Sequence, residues 1–237
     1  MTGKFRRVFP QRHVVLPVIH VESEGQALRN AETARSAEAD GIFLINHMGP
    51  CEELLAIRRR LHAEFPGCWI GVNCLDLDPE EVFEHLPDDV PGLWADDAGI
   101  DERTRDQPEA DAIARARQES GWGGIYFGGV AFKYQRPVED LARAAAIAAG
   151  YMDVVTTSGP GTGVAAGRAK IVAMKEAVGD FPLAIASGIT PENVADYLDV
   201  ADCFLVATGI SRSFTELEPD KVRRLIERVR DYGGAVR

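Results

Sequence analysis

Residues 184–194 read AIASGITPENV, an apolar run that stops at Ser187-Gly188 and passes directly into Thr-Pro-Glu-Asn. Ala184, Ile185 and Ala186 suit a strand buried on both faces, Gly188 frees the backbone, and Thr190 before Pro191 reads as a helix N-cap with proline in the first turn. A strand therefore hands over to a helix almost at once. At such a junction backbone N–H groups and the positive end of the helix dipole face whatever lies beyond the strand's carboxyl end, which suits an anion. Glycine-containing strand-to-helix turns occur in every α/β protein, so this one acquires meaning only from its neighbours in the chain.

Those neighbours repeat the same unit. HVVLPVIHV (13–21) precedes an alanine-rich helix from about Glu24 to Ala39, GIFLIN (41–46) precedes CEELLAIRRRLHAEF, CWIGVNCL (68–75) precedes PEEVFEHL, and GLWADD (92–97) precedes a helix over about Pro108–Ser120. GGIYFGGVAF (123–132) leads to VEDLARAAAIAAG, MDVVTTS (152–158) to AAGRAKIVAMKEAVG, PLAIASG (182–188) to PENVADYLD, and CFLVATG (203–209) to DKVRRLIERVRDY. Short, nearly continuous runs of Val, Ile, Leu, Phe and Ala imply strands covered by helices, and eight evenly spaced βα units favour closure into a single (β/α)8 TIM barrel spanning 1–237. The competing architecture, an open doubly wound sheet, lacks a GxGxxG at its first βα turn. No linker or shift of composition divides the chain. The polar stretch DDAGIDERTRDQPEAD (96–111) is the one long loop, a lid or simply a solvated connection.

With 46% hydrophobic residues and no N-terminal apolar segment resembling a signal or a span, the chain is expected to be cytoplasmic, without membrane insertion. A formal charge of −11 argues against nucleic acid as a partner but not against a small phosphorylated ligand, which needs only a few local donors. Cys51, Cys68, Cys74 and Cys203 show no CxxC pair and are expected as reduced thiols, largely in the core. His13, His62 and His85 read as edge or helix-surface residues. Barrel enzymes often associate, so a homo-oligomer is expected.

In a barrel the site lies at the carboxyl ends of the strands, and here those ends turn polar. The first ends in His20 and Glu22, the second in Asn46 and His47, the third in Asn73 and the fourth in Asp96 and Asp97. The fifth leads into Lys133, the sixth into Thr156, Thr157 and Ser158, the seventh into Ser187 and the eighth into Thr208. Asp96 and Asp97 are adjacent, so only one faces inward. The loops SGIT (187–190) and ATGISRS (207–213) are neighbours in a barrel and occupy the usual phosphate position, with Ser187, Gly188, Thr208, Gly209, Ser211 or Ser213 as donors. Arg212 supplies a planar fork for phosphate oxygens, or is a surface side chain. The glycines of TTSGPGTG (156–163) make a tight connection or let a substrate approach the backbone. Lys133 is open to three readings: a charge on a substrate oxyanion, a Schiff-base nucleophile, or a solvated loop residue. No HxH, HExxH or DxD spacing supports a metal, and no cofactor is expected.

Most of the chain resembles the BtpA/SgcQ family, most closely from Phe132 to Gly209. Lys133-Tyr134 is similar to its Val-Lys-His element, Ser158-Gly159 through Thr162-Gly163 to its Ser-Gly…Thr-Gly loop, and Ala186-Ser187-Gly188-Ile189-Thr190 with Glu192-Asn193 to its Gly-Ser-Gly-Val-Thr-x-Glu-Asn. Ile19-His20 and Gly71-Val72-Asn73 resemble its Val-His and Gly-Ile-Asn. The Pro-Leu-Pro-Gly loop of the family is replaced here by VESEGQA, its Glu-Asn by Ile45-Asn46 and its Gly-Thr by Ala207-Thr208. The resemblance implies a barrel of the ribulose-phosphate-binding class with a phosphate site, expected at Ser158, Gly159, Thr162, Gly163, Ser187, Gly188, Thr208 and Gly209, to which the fork of Arg212 is added from its place in the last loop. Members are described as photosystem biogenesis factors or as nucleoside or phosphoribosyl enzymes.

These features together predict an enzyme acting on a phosphorylated sugar, ribosyl or nucleoside compound as lyase, isomerase, transferase or nucleosidase. Asp96 would be its general acid or base, Lys133 a charge stabiliser, and Asn73 and His20 orienting groups. A non-catalytic assembly factor on the same scaffold and a Schiff-base aldolase using Lys133 are the alternatives.

Overall fold

Eight short apolar strands pair in parallel and in chain order: β1 (Val14–Val21), β2 (Ile42–Asn46), β3 (Ile70–Asn73), β4 (Gly92–Ala95), β5 (Ile125–Gly129), β6 (Val154–Ser158), β7 (Leu183–Ala186) and β8 (Cys203–Val206). β8 returns to β1, with Val14 opposite Cys203 and Pro17 opposite Val206, and this closes the barrel. The computed structural model describes residues 3–234. Helices α2 (Glu24–Ser36), α3 (Cys51–Glu64), α4 (Pro79–His85), α5 (Pro108–Ser120), α6 (Leu141–Ala148), α7 (Arg168–Val178) and α8 (Pro219–Gly234) lie between and after the strands.

Strand alternation sorts the apolar residues into two layers. Val14, Leu16 and Val18 of β1, Phe43 and Ile45 of β2, Trp94, Phe127 and Leu205 fill the barrel, with Phe43 and Phe127 edge-to-face at 5.1 Å. Val15, Ile19, Leu44, Val72, Leu93 and Ile185 point the other way, into the layer beneath the helices. A further helix, α1 (Lys4–Val8), plugs the amino-terminal end by burying Phe5 against Phe127, while Phe9 packs on Trp69 at 5.2 Å. It was not among the expected elements, since KFRRV carries only one strongly buried side chain among charged ones.

Three expectations are corrected. First, PENVADYLD forms only a 3₁₀ turn at Val194–Tyr197. Its buried residues Val194 and Tyr197 are three apart, a spacing that suits three residues per turn, and the Asn193 side chain folds back to accept from Thr190 N (2.8 Å) and donate to Gly188 O (2.8 Å). Second, Cys51 and Cys74 are not free thiols but form a disulfide, because β2–β3 pairing sets the start of α3, where Cys51 stands, beside Cys74 directly after β3, at a Cα separation of 5.2 Å. Cys203 is buried and Cys68 half-buried, both free. Third, His13 is no edge residue: it is buried, its Nε2–H donates to Leu198 O at 2.6 Å, and burial pulls its pKa down.

In denaturant without reductant, a thiol reagent should titrate Cys68 and Cys203 alone, and all four cysteines after reduction. Because the bridge spans 23 residues, Cys74→Ser should cost about 3 kcal/mol in a denaturant titration on the chain-entropy account. Four reactive thiols before reduction would remove the crosslink.

Candidate active site

The carboxyl ends of the strands open into a cavity of about 330 Å³. Its floor is apolar, made by the inward side chains Val18, Ile45, Trp94 and Leu205, with Trp94 set against Phe43 and Phe132 at 5.9 Å each. Residues two further along the strands form its walls. His20 follows Val18, His47 follows Ile45, Asp96 follows Trp94 and Ala207 follows Leu205, all on the inward parity.

Asp96 is therefore the inward member of the aspartate pair, and Asp97 turns out to a separate surface cleft shared with Arg103 and Arg136. Asn73, inward on β3, donates to Asp96 Oδ1 at 3.0 Å from outside the cavity lining. Burial pushes the Asp96 carboxyl above its ordinary pKa, opposed by the Lys133 ammonium and the Asn73 hydrogen bond. Lys133 lines the cavity with its Nζ 5.5 Å from the Phe132 ring. Its own N–H donates to Ser158 Oγ at 2.7 Å, and Ala131 and Tyr134 on either side hold left-handed backbone at φ +49° and +67°. His20 is brought down to about 4 chiefly by burial, then by His47 and Lys133, so its ring is neutral at pH 7.

The opposite wall comes from the last three βα loops, which place Thr162, Ser187 and Thr208 on the cavity. Gly163 lies against Thr208, and Gly188 and Gly209 pack backbone to backbone with their neighbouring loops. Ser158 is fully buried behind Lys133, and Gly159 accepts from its hydroxyl at 2.9 Å. Arg212 is exposed, 3.8 Å from Glu216, and does not line the cavity. Glu22, which by strand alternation is expected on the same face as His20, lies past the end of β1, is exposed and does not line the cavity. Asn46 serves structure: it donates to Gly49 O and Asp76 and accepts from Leu75 N.

The loop from 96 to 111 is anchored rather than loose. Arg136 pairs with Asp101 at 2.7 Å and with Glu102, which is 2% exposed and also accepts from Glu139 N at 3.0 Å. The Arg136 hydrogen bond holds the Glu102 carboxyl down to about 2. This ties the loop after β4 to the one that carries Lys133. His47, which ends the second apolar run, and Tyr134, beside Lys133, also line the cavity; two residues the sequence did not single out take part as well, Phe214 on the cavity wall and Lys170 on α7, which donates to Ala131 O and to Ser158 O (2.7 Å). Among the described residues no three of His, Cys, Asp and Glu gather in a metal-holding group, and no helix is long and apolar enough to cross a membrane.

A closed parallel barrel with polar groups converging at the carboxyl ends of its strands places the chain among the TIM barrels. It belongs to the BtpA family, whose family model matches residues 107–231. Among solved structures it is similar to phosphoribosyl anthranilate isomerase from Thermus thermophilus, at 19% identity over 92% of this chain and 99% of that one, with a TM-score of 0.62. It is likewise similar to (S)-3-O-geranylgeranylglyceryl phosphate synthase from Thermoplasma acidophilum in complex with sn-glycerol-1-phosphate, at 13% identity over 98% and 100% of the chains and a TM-score of 0.69. The native KDPGal structure shares 14% identity over 93% of this chain and 96% of that one, with a TM-score of 0.66. At these identities the likeness is one of fold. No curated protein matches the chain.

The raised pKa of Asp96 has a consequence for stability. A carboxyl raised in the folded state contributes fully below its unfolded pKa, and that contribution is lost as pH rises through the folded value. Asp96→Asn, which still accepts from Asn73, should therefore melt roughly 2–4 °C higher than the parent at pH 7, and the gap should close in acid. An equal or lower melting temperature at pH 7 would contradict the assignment.

Proposed function

We propose that the chain is a barrel enzyme acting on a phosphorylated sugar or ribosyl compound, with the phosphate on the loops after β7 and β8 and the chemistry between Asp96 and Lys133. The observation that carries this reading is the convergence, in one cavity, of a buried carboxylate, an ammonium, a neutral imidazole and the hydroxyls of Thr162, Ser187 and Thr208. Catalytic sites combine such groups because proton transfer needs a carboxyl with a pKa shifted toward neutrality and a developing oxyanion needs a fixed positive charge. Asp96 supplies the first and Lys133 the second.

The phosphate side is supported by composition and shape. The wall from β6 to β8 offers hydroxyls without a carboxylate, and its glycines bring main chain to the cavity edge. The glycerol-phosphate-bound synthase with the same fold takes a phosphorylated substrate. Arg212 is left out of the phosphate site, since its side chain is directed to Glu216. Lys133 Nζ stands 5.5 Å from the Phe132 ring, within the reach at which an ammonium is attracted to an aromatic face, and this supports its reading as a charge stabiliser.

Isothermal calorimetry with ribose 5-phosphate and ribose tests the proposal. The phosphosugar should bind at least a hundredfold more tightly, and Lys133→Met should weaken it about tenfold, the effect of losing one charge-assisted contact. Equal affinity for the two sugars, or binding of neither, overturns it.

A further inference from the structure

Among the described residues, six large apolar side chains are exposed, and five of them stand on loops after strands: Met48, Leu75, Tyr134, Val164 and Phe214, from β2, β3, β5, β6 and β8. Single exposed apolar residues are ordinary, but five around one opening mark a surface kept for contact. Leu75, Tyr134 and Phe214 line the cavity itself.

Three rings on the β1–β2 side form a continuous face. Phe214 stands 4.3 Å from His20 and 5.0 Å from His47, and the two imidazoles are 4.7 Å apart. Phe214 is 54% exposed, yet its loop is held from beneath by two amide side chains of α2 that are themselves buried. Asn30 donates to Thr215 O at 2.7 Å and accepts from Leu217 N at 2.9 Å, and Gln26 donates to the same Thr215 carbonyl. Committing two buried amides to one short loop fixes an aromatic side chain that packing alone would leave loose.

No carboxylate, ammonium or guanidinium belongs to this face; the charged groups of the cavity, Asp96 and Lys133, stand after β4 and after β5, and the Lys133 charge reaches both imidazoles, helping burial to keep them neutral. The imidazoles add no charge at neutral pH, since burial lowers both, His20 to about 4. A cavity of about 330 Å³ also lies near the small end of the range for ligand sites, roughly 300–1,000 Å³, which leaves room for a phosphosugar and one further ring.

We propose that the half of the ligand opposite the phosphate is an uncharged, single planar aromatic ring, seated on the face made by His20, His47 and Phe214. Quadrupole-bearing rings prefer offset or tilted contact with a flat partner, and His20, His47 and Phe214 are mutually tilted by 57–64°, so a ring can lie on one while meeting the edge of another. The inference rests on the phosphate reading above for the ligand's other half.

Uridine 5′-monophosphate, its 5,6-dihydro derivative, uridine and ribose 5-phosphate serve as probes, read by calorimetry and by the fluorescence of Trp94 in the cavity floor. Uridine 5′-monophosphate should bind at least tenfold more tightly than ribose 5-phosphate, and the saturated, non-planar dihydro compound should lose most of that advantage. In Phe214→Ala the ratio should fall to within about twofold, with Phe214→Tyr restoring it. A ratio near one in the parent protein, with ribose 5-phosphate bound, overturns the ring site while the phosphate reading stands, and returns the apolar rim to contact with a macromolecule. Equal binding of uridine and its monophosphate overturns the phosphate reading instead, and with it the placement of the ring opposite a phosphate.

Discussion

A closed parallel barrel allows each strand only two directions for its side chains, and that restriction determines which residues meet in the cavity. On β1 the packed interior takes Val14, Leu16 and Val18, so the next residue of that parity, His20, enters the cavity above them. The same rule carries Phe43 and Ile45 to His47, and Trp94 to Asp96. Slipping β4 by one residue would place Leu93 and Ala95 in the barrel and present Asp97 in place of Asp96. The aromatic floor and the chemistry above it are thus a single packing decision, made where Trp94 meets Phe43 and Phe132.

A second constraint shapes the far wall. Gly188 has φ of +72°, and a Cβ there would lie 2.2 Å from Ala165 N; one on Gly209 would lie 1.8 Å from Ile189 O. The loop after β8 therefore rests directly on the loop after β7, and that on the loop after β6, with no side chain between. Ser187 shares the left-handed backbone of Gly188 at φ +73°, a conformation that costs energy in a residue with a side chain and is held by the Asn193 and Thr190 hydrogen bonds just beyond it. Contact between main chains is what lets three separate loops present hydroxyls within one small volume.

Much of this was legible from residue patterns, and the exceptions share a cause. Eight apolar runs with polar ends announce strands and their carboxyl termini, since burial on both faces demands continuous Val, Ile, Leu and Phe while the open end of the barrel does not. The choice between Asp96 and Asp97 was available in principle, because Trp94 is the bulkier neighbour and fills the interior. What the pattern could not convey are contacts set by distant parts of the chain. The Phe214 loop is held at the Thr215 carbonyl by Asn30 and Gln26, 185 and 189 residues away from Thr215, and the Cys51–Cys74 bridge follows from strand pairing rather than from cysteine spacing. α1 carries too few periodic apolar residues to be distinguished from a loop, and at Val194–Tyr197 the N-cap signal of Thr190-Pro191 reads as a full helix where only two buried residues, three apart, sustain a 3₁₀ turn.

Lys133 shows how these constraints combine on one side chain. It stands between two left-handed residues, Ala131 and Tyr134, and such backbone persists only where surrounding contacts over-determine it. Here they come from several elements: Ser158 Oγ accepts the Lys133 N–H, Gln135 spans Phe132 N, Gly129 O and Asp96 O, and Lys170 bridges Ala131 O and Ser158 O from α7. Lys170 has only carbonyl acceptors in this network, and burial lowers it to about 8. A lysine placed at that desolvation cost to bind two main-chain carbonyls is a clamp on the loops of β5 and β6. The clamp fixes Lys133 over a mostly apolar floor, where its charge, with the Asn73 hydrogen bond, opposes the upward push of burial on the Asp96 carboxyl. Position, rather than the identity of either charged residue alone, is what makes the pair usable for chemistry.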